Sequence, residues 1–519
     1  MSQKLQFQVL IGLFLFLCFC YSAKAQLSLT GQLRTRTEFR DGYATLNTKG
    51  SPASIFTSQR TRLTLAYKWD KVNFQTSVQD IRLWGQDAST INNADGNRFM
   101  VHEAWAEIFV ANAADSTFKW KGIEKLSFKL GRQALIYDDV RLLGDLDWLQ
   151  QPRRHDALVI KALHKGWQLD LGFGFNQSTD AFGATGTTYT SANVPGFIKT
   201  NKGYLVNTPN NFIPLTDPKN GNSSKNGNAA FANVPSTNAI NQQYKSMQFL
   251  YVARKFGKTK FAGLFFKDDF SKYIKDSSQY FTGKDTSYVY GLNFNNQTGV
   301  NSRITYGLMI NGLFGNENDA NRIIWQAGAY FQGGKDKEGK NLNAAHFTIS
   351  ALATIGKFSF GPGFDYLSGN DGTSTLKTNN RFDPLYGTPH KFWGYMDYFY
   401  VGTVSPVGGL QNAYFKTRYS TKNLFITFDI HNFALAKPTI NNSDVAKPQI
   451  SKNLGYEFDL LVNYSLNKIT NIEAGYCFMT ATNSMEYIKK GTMGKTNHIP
   501  QWAYLMINIR PDFLNKNKK

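Results

Sequence analysis

Cysteine is scarce in this sequence, and no long hydrophobic run follows residue 25. Three of the 519 residues are cysteine, too few for a disulfide framework to hold the chain together. Beyond Ala25 no segment approaches the roughly 20 apolar residues that a membrane-spanning helix needs, and the mean hydropathy is -0.37. These absences leave two classes for the folded part, a soluble protein or a barrel that crosses a membrane with strands.

Acidic residues and histidines are also few. Lysine and arginine number 58 against 37 aspartates and glutamates, which gives a net charge of +21. In a cytosolic chain this balance would suggest nucleic acid as a partner, but the sequence holds no recognised binding motif and we exclude that partner. None of the seven histidines lies in a nucleophile or zinc motif. We therefore predict no enzyme activity, no metal and no other cofactor.

The first 25 residues predict a secretory signal peptide. Lys4 precedes an apolar run over residues 9–20, and small residues lead to a cleavage position after Ala25. That run is shorter than a bilayer-spanning anchor requires. Cleavage would remove Lys4 and Lys24, leaving 56 basic against 37 acidic residues and a net charge of +19. Cys477 would be the only cysteine left, and its strand parity places it inward in a structural role.

From Leu27 to Arg510 the chain repeats a stretch of about ten residues in which apolar and polar side chains alternate, each closed by a turn or a polar loop. In the stretch over 60–69, one parity holds Leu63, Leu65, Tyr67 and Trp69, and the other holds Arg60, Arg62, Thr64 and Lys68. One face suits lipid and the other suits water. A half-buried sheet in a soluble sandwich alternates in the same way, so strand number and connections decide between the two.

The connections between these stretches sort into short and long ones. Very short connections lie at 69–71, 164–166, 256–259 and 355–357, as in the periplasmic hairpin turns of outer-membrane barrels. The longest, 178–242 and 369–410, suit external loops. A soluble sandwich has no reason to sort its connections so consistently.

Counting the alternating stretches gives about 19 candidates, whereas a single-chain bacterial barrel has an even number of strands. The stretch over 288–296 is the false one, because assigning it to an external loop puts the connection at 315–320 inside and that at 335–338 outside. The sequence thus predicts an all-β fold, a single transmembrane antiparallel β-barrel of about 18 strands over residues 26–514, with a basic tail at 515–519. Aromatic residues, 15% of the chain, supply girdles at the two membrane interfaces.

The segment over 130–156 departs from simple alternation because charge collects in it. It contains Gly131-Arg132-Gln133, Tyr137-Asp138-Asp139, Arg141, Trp148, Arg153-Arg154 and Asp156. This segment resembles the signature of the alginate-export family of outer-membrane proteins, whose members carry a Gly-Arg-Gln, a Tyr-Gly-Asp-Glu-Arg run, a Trp and an Arg-Phe-Asp at similar spacing. Phe382-Asp383-Pro384-Leu385 with His390, Gly394 and Asp397 is similar to a later family segment. We expect the resemblance to cover nearly the whole mature chain.

The sequence departs from the family pattern at three positions. Asp138 stands where the family usually has Gly, Val140 in place of Glu, and His155 in place of Phe. Loss of the glutamate matters most, because that acid would balance the neighbouring arginines. Provided that Val140 faces the lumen, this part of the pore is expected to be more positive than in a typical member.

The resemblance implies a barrel of about 18 strands that passes an anionic, alginate-like polysaccharide, or related anionic oligosaccharides, through an arginine-lined pore. Residue chemistry supports this independently, because guanidinium groups bind the carboxylates of a polyuronate bidentately and stay charged. Our candidate lumen residues are Arg34, Arg36, Arg60, Arg62, Lys125, Lys129, Arg132, Asp139, Arg141, Arg154, Asp156 and Arg254, with Glu103 and Glu107 as further counter-charges. Arg132 shares the outward parity of Leu130, so its lumen role requires a bulge or a position above the membrane. The alternative for any one of them is a salt bridge that pins a folded-in loop to the wall.

Other classes of outer-membrane protein fit the sequence less well. An enzymatic barrel would need a catalytic motif, and a receptor for energised uptake would need a plug domain, for which strands starting directly after Gln26 leave no room. A porin for small anions or sugars that carries no polymer stays open as the alternative. We expect a monomer in the outer membrane, in contact with its lipid, and leave open whether a periplasmic secretion complex is a partner.

Overall fold

The computed structural model describes residues 26–514, apart from 86–98, 114–121, 177–193, 210–211, 218–219, 231–243, 284, 373–377, 402–405, 442–445, 447 and 492. The predicted signal peptide and the basic tail lie outside the described residues, so both stay predictions.

Eighteen strands form one closed antiparallel barrel, as the sequence predicts. In chain order they are β1 (Gln26–Asp41), β2 (Ser54–Lys68), β3 (Val72–Leu83), β4 (Phe99–Asn112), β5 (Lys125–Gln133), β6 (His155–His164), β7 (Trp167–Phe175), β8 (Ser246–Phe256), β9 (Thr259–Phe281), β10 (Tyr288–Phe314), β11 (Asn321–Gly334), β12 (Ala344–Ile355), β13 (Phe358–Leu367), β14 (Leu410–Ser420), β15 (Leu424–Ala434), β16 (Asn453–Ser465), β17 (Thr470–Ala481) and β18 (Gln501–Ile509). Each strand pairs with the next along the chain, and β1 closes the barrel on β18.

The alternation of side chains sets the two faces of the wall. In β2, Leu63 is 44% exposed on the outer face, whereas Arg60 on the inner face is fully buried. Outward residues elsewhere are also large and apolar, as at Phe173 and Leu505. Because a bilayer offers no water to the outer wall, this apolar surface is the one that lipid requires.

Short and long connections lie at opposite ends of the barrel, as predicted. The connection at 315–320 joins β10 to β11 at the short-turn end, and 335–343 joins β11 to β12 at the long-loop end. The stretch over 288–296 is not a separate membrane strand. It forms the outer part of β10 and pairs with 273–281 of β9 beyond a bulge, so the two strands extend as a long external hairpin.

The seam between the first and last strands has an additional closure. β1 pairs with β18 only from Leu33 onward, which leaves its first residues without a partner strand on that side. The chain after β18 turns back onto them. Gly31 N donates to Pro511 O (2.9 Å), and Phe513 N donates to Leu29 O (2.9 Å). The residues after the last strand therefore cover the free edge of the first.

Helical structure is minor. The helix α1 (Asn483–Lys490) lies in the connection between β17 and β18, and Thr482 Oγ1 caps it by accepting from Met485 N (3.2 Å). A 3-10 turn covers Pro389–Lys391. Within the described ranges, no helix combines the length and the apolar character needed to cross a bilayer.

Candidate functional site

Two external connections fold back into the lumen and meet there. The first inward loop (134–154) joins β5 to β6, and the second inward loop, the described residues of 368–409 (without 373–377 and 402–405), lies between β13 and β14. They are hydrogen-bonded to each other, since Gly144 N donates to Tyr386 O (3.1 Å) and Tyr386 N donates to Leu142 O (2.9 Å). This contact, the loop junction, narrows any path through the barrel.

Buried aromatic side chains hold the loop junction in place. Tyr386 packs against Tyr244 with ring centroids 5.2 Å apart, and its hydroxyl donates to Asp268 Oδ2 (2.7 Å). Burial and the nearby Asp268 carboxylate raise the pKa of Tyr386 well above its ordinary value, so the hydroxyl remains a donor. Trp393 of the second inward loop is also fully buried. The lumen thus contains a packed core of the kind that stabilises soluble proteins.

Parts of the first inward loop adopt a left-handed backbone. The angle φ is +49° at Asp138 and +67° at Val140, a region that strains most residues and that glycine enters freely. The glycine that the family usually carries at the first position fits this geometry. Val140 packs against the buried cluster, so the expected gain of positive charge in the open lumen does not follow from its substitution.

The inner face of β1 and β2 forms a basic wall made of Arg34, Arg36, Arg60 and Arg62. Arg34, Arg36 and Arg60 are buried because the first inward loop lies on them. Arg34 Nη1 donates to Asp147 O (2.8 Å), and Arg36 Nη1 donates to Trp148 O (2.9 Å). The guanidinium carbon of Arg36 also lies 4.3 Å from the Trp148 ring centroid. Arg36 Nε also donates to the buried Glu38 carboxylate (2.9 Å). Carbonyl oxygens accept hydrogen bonds without neutralising charge, so the net positive charge of the wall rests on Arg34, Arg60 and Arg62.

Three arginines of the basic wall share one carboxylate, that of Asp147. Arg60 forms a two-pronged pair with it, through Nη1 to Oδ1 (3.0 Å) and Nη2 to Oδ2 (3.1 Å). Arg34 and Arg62 each place an Nη1 3.6 Å from a carboxylate oxygen. Burial alone would raise the pKa of Asp147, but the three guanidinium groups lower it below its ordinary value. One negative charge thus faces three positive ones.

Further predicted residues continue the cationic surface along β4 to β6. Arg154 pairs with Glu103 (Nε to Oε1, 2.5 Å). Lys129 places its Nζ 3.9 Å from the Trp105 ring centroid, and Lys125 lies 4.5 Å from that of Phe109 near the short-turn end. Lys125 and Lys129 project from the inner face of β5, and Arg154 reaches Glu103 from the end of the first inward loop. Among the described inward residues of strands β1 to β6, cations outnumber carboxylates; the cations include Arg34, Arg36, Arg60, Arg62, Lys125, Lys129 and Lys161, and the carboxylates are Glu38, Glu103 and Glu107.

Arg141 has a different environment from the basic wall. It is fully buried, with Nη1 2.8 Å from Asp365 of β13 and Nε 3.2 Å from Asp139. Burial alone would lower the pKa of Arg141, but the two carboxylates raise it above its ordinary value. Arg303 of β10 is held likewise by Asp268 (2.6 Å) and Asp383 (2.8 Å). Arg141 and Arg303 pin the inward loops to the wall.

Three predicted lumen residues lie outside the lumen. Arg132 and Asp156 are directly opposite each other on the outer face of β5 and β6, with no bulge between them, and form a two-pronged pair (2.9 and 2.8 Å). Arg254 lies on the outer face of β8 at the short-turn end, where its guanidinium carbon is 5.1 Å from the Trp167 ring centroid and 4.7 Å from that of Phe256. For Arg254 the lumen prediction is wrong because the residue shares the parity of outward Leu250 and Val252. For Arg132, the regular pairing of β5 with β6 shows no bulge that would turn the side chain into the lumen.

A cavity of about 390 Å³ opens on the short-turn side of the loop junction, between β11 and β15. Asp139 and Lys391 border it from the inward loops, and Lys416 and Arg418 border it from β14. Both β14 cations contact Asp429, Lys416 at 3.1 Å. Burial lowers the pKa of Lys391. The cavity therefore provides a second cationic surface further along the lumen.

Sequence reasoning missed several residues of this site. Lys416 and Arg418 alternate with Phe415 and Tyr419, a signal of the same kind that identified the basic wall. Asp147 gave no such signal, because parity has no meaning inside a loop. Among the described residues, no group of three or more histidine, cysteine or acidic side chains is arranged to hold a metal.

Comparisons with known proteins agree with this architecture. Residues 25–173 match the family model described as alginate export, a shorter stretch than the nearly complete coverage that we expected. No curated protein matches the chain. The outer membrane protein OpdK from Pseudomonas aeruginosa has a TM-score of 0.53 at 10% identity, covering 94% of this chain and 99% of that chain. OccAB1 from Acinetobacter baumannii has a TM-score of 0.54 at 11% identity, covering 94% and 97%.

At these identities the likeness to solved structures shows the fold. The chain is thus an outer-membrane β-barrel that carries two inward loops and a charged lumen. Within that class, residues 25–173 are similar to the alginate-export family model. OpdK has also been solved with vanillate.

Proposed function

We propose that this barrel passes anionic saccharides across the outer membrane, as an alginate-like polysaccharide or as related anionic oligosaccharides. The observation that carries the proposal is the basic wall, where Arg34, Arg60 and Arg62 share the single carboxylate of Asp147. Such a surplus of fixed positive charge in a narrow lumen attracts anions and raises their local concentration.

The chemistry of the wall suits a carboxylated sugar chain. Guanidinium groups bind carboxylates through two parallel hydrogen bonds and stay charged at every relevant pH. The second cationic surface, at Lys416 and Arg418, lies further along the lumen. Successive sites of moderate affinity let a chain bind and still leave.

The alternative is a porin for small anions or sugars. The loop junction and its buried aromatic core favour it, because they occupy much of the lumen that a polymer would cross. The structural relative OpdK, solved with vanillate, adds a small carboxylate as a model of such a solute. Both candidate functions need the same anion-selective wall. The length of the solute that enters the pore therefore distinguishes them.

The first test is the reversal potential of the purified protein in planar bilayers under a salt gradient. We expect anion preference in the unmodified chain and its loss in an Arg60→Gln, Arg62→Gln double variant. The matched control is Arg132→Gln, Arg254→Gln, which removes the same charge from the outer face and should leave selectivity unchanged. Cation preference, or equal loss in both double variants, would refute the basic wall as the selectivity element.

The second test adds solutes to the open channel. Block of the current by long polyuronates supports the polymer conduit, whereas block confined to short oligosaccharides and monomers supports the porin.

We further propose that the channel functions as a monomer and that residues 1–25 direct its export. Cross-linking in native membranes and N-terminal sequencing of the mature protein test these two points.

A further inference from the structure

We propose that Asp147 is a built-in competitor that occupies the carboxylate-binding site of the basic wall. A carboxylate on the incoming saccharide would replace the Asp147 carboxylate on the same guanidinium groups. This inference rests on the proposed function and adds to it the place of binding, the group that is recognised and the device that limits affinity.

The geometry at Asp147 is the one that a bound carboxylate would adopt. Both of its oxygens are engaged by the two Nη atoms of Arg60, at 3.0 and 3.1 Å. Arg34 and Arg62 flank the pair, each 3.6 Å from one oxygen. Planar two-pronged binding of this kind is the preferred arrangement of a guanidinium with any carboxylate. The site therefore recognises the functional group that a uronate carries on every sugar.

Asp147 is more exposed than the arginines that bind it, and this difference makes exchange of one carboxylate for another feasible. The side chain of Asp147 is 37% exposed, whereas that of Arg60 is fully buried and that of Arg62 is 14% exposed. The arginines are thus held in place by buried contacts, while the Asp147 carboxylate that pairs with them is accessible from the lumen. A solute approaching along the lumen meets Asp147 first and reaches the arginines by displacing one side chain.

The surrounding loop does not need to move for this exchange. The ends of the segment 145–153 are tied together by a hydrogen bond from Arg153 N to Asp145 O (2.6 Å). Arg34 holds the Leu149 carbonyl (2.8 Å), and Trp148 stacks on His390 with ring centroids 4.4 Å apart. These contacts involve backbone oxygens and a ring, so rotation of the Asp147 side chain leaves them intact. The arginines keep their position while their carboxylate partner changes.

A built-in competitor also answers a requirement of transport. Three unpaired guanidinium groups would hold a polyanion so tightly that it could not leave, and conduction needs binding weak enough to release. With Asp147 present, each solute carboxylate must compete with a carboxylate already in place. The chain's own acid thereby sets the affinity of the site.

The test is titration calorimetry of the protein purified from outer membranes into detergent, with trigalacturonate as the probe and maltotriose as the uncharged control. We expect Asp147→Asn to bind trigalacturonate about tenfold more tightly than the unmodified protein. Asp145→Asn, which removes the same charge from the same loop without touching the three arginines, should bind as the unmodified protein does. Asp147→Glu keeps the competing charge and should also retain the weaker affinity, so it tests the idea even where the Asn variant folds poorly.

The outcomes separate the two proposals. Equal affinities for the unmodified protein, Asp147→Asn and Asp147→Glu would overturn the competitor and leave an anionic channel standing. Equal tightening in Asp145→Asn and Asp147→Asn would also overturn it, because general electrostatics would then suffice. Absence of trigalacturonate binding in all variants, together with absence of anion preference in bilayers, would overturn both proposals.

Discussion

The arginines of the lumen fall into two groups according to what their guanidinium groups contact. Arg34, Arg60 and Arg62 share one acid and otherwise contact neutral oxygens, so their charge acts on the lumen. Arg141 is buried between two carboxylates, and its charge is cancelled where it lies. Strand parity in the sequence finds arginines that face inward. It does not find Asp147, because this partner comes from a loop whose path depends on the whole fold.

The buried pin at Arg141 is expected to contribute strongly to stability. Arg141→Met leaves Asp365 and Asp139 as uncompensated buried charges, and should lower the free energy of unfolding by about 3–5 kcal/mol. Arg132→Met removes an exposed pair with Asp156 and should cost at most about 1 kcal/mol. Urea titration of vesicle-reconstituted protein, followed by tryptophan fluorescence, measures both. Similar losses in the two variants would contradict the assignment of Arg141 as a pin.

The outward position of Arg254 shows that the alternation of side chains along a strand is enough to predict the face on which a residue lies. Leu250 and Val252 precede it on the same face of β8, so the alternation already assigned it to lipid. Its guanidinium lies over Trp167 and Phe256 at the short-turn end, where long basic side chains reach the membrane interface. The positive charge of Arg254 suggested a position in the lumen, but its place in the alternation of β8 predicted the correct face.

At the scale of elements, strands and loops differ in how far the sequence predicts them. The alternation of β2, the sorted connections and the even strand count all follow from the chemistry of a wall between lipid and water. The inward course of 134–154 and 368–409 does not. The family resemblance marked charged residues in both loops, but their meeting at Gly144 and Tyr386 depends on contacts between distant parts of the chain.

The loop junction leaves no space for a larger residue at Gly387. A Cβ atom there would lie 1.9 Å from the Arg141 carbonyl oxygen. Gly387→Ala is therefore expected to separate the inward loops, and single-channel recordings should show higher conductance with frequent switching between levels. Gly196→Ala is the control, because its added methyl group meets no atom within 4 Å. Unchanged recordings in both variants would mean that the junction does not restrict the path.

At the scale of the whole molecule, charge is distributed unevenly around the lumen. The wall from β1 to β6 carries surplus positive charge, as at Arg62 and Lys129. The facing wall carries buried acids such as Asp268, Asp365 and Asp429, each matched by basic side chains. The wall from β1 to β6 attracts the solute, and the facing wall both anchors the inward loops and carries the second cationic surface at Lys416 and Arg418.

This arrangement predicts that selectivity weakens with salt. The Debye length falls from about 10 Å at 0.1 M to about 3 Å at 1 M ionic strength. Arginines of the basic wall that act on passing anions at a distance should then lose most of their effect. Reversal potentials measured at fixed gradient ratio and rising mean concentration should approach zero. Selectivity that stays constant would point to direct binding at Asp147 and its arginines as the sole source of discrimination.

The residues after the last strand also affect how the protein is made. Phe513 N donates to Leu29 O and Gly31 N donates to Pro511 O, so the residues directly after the last strand complete the edge of the first strand. An exposed strand edge recruits other strands, including those of neighbouring molecules. The edge of β1 is therefore covered only after residues 511–513 have reached the barrel, and until then an assembling chain exposes a strand edge that can pair with another molecule.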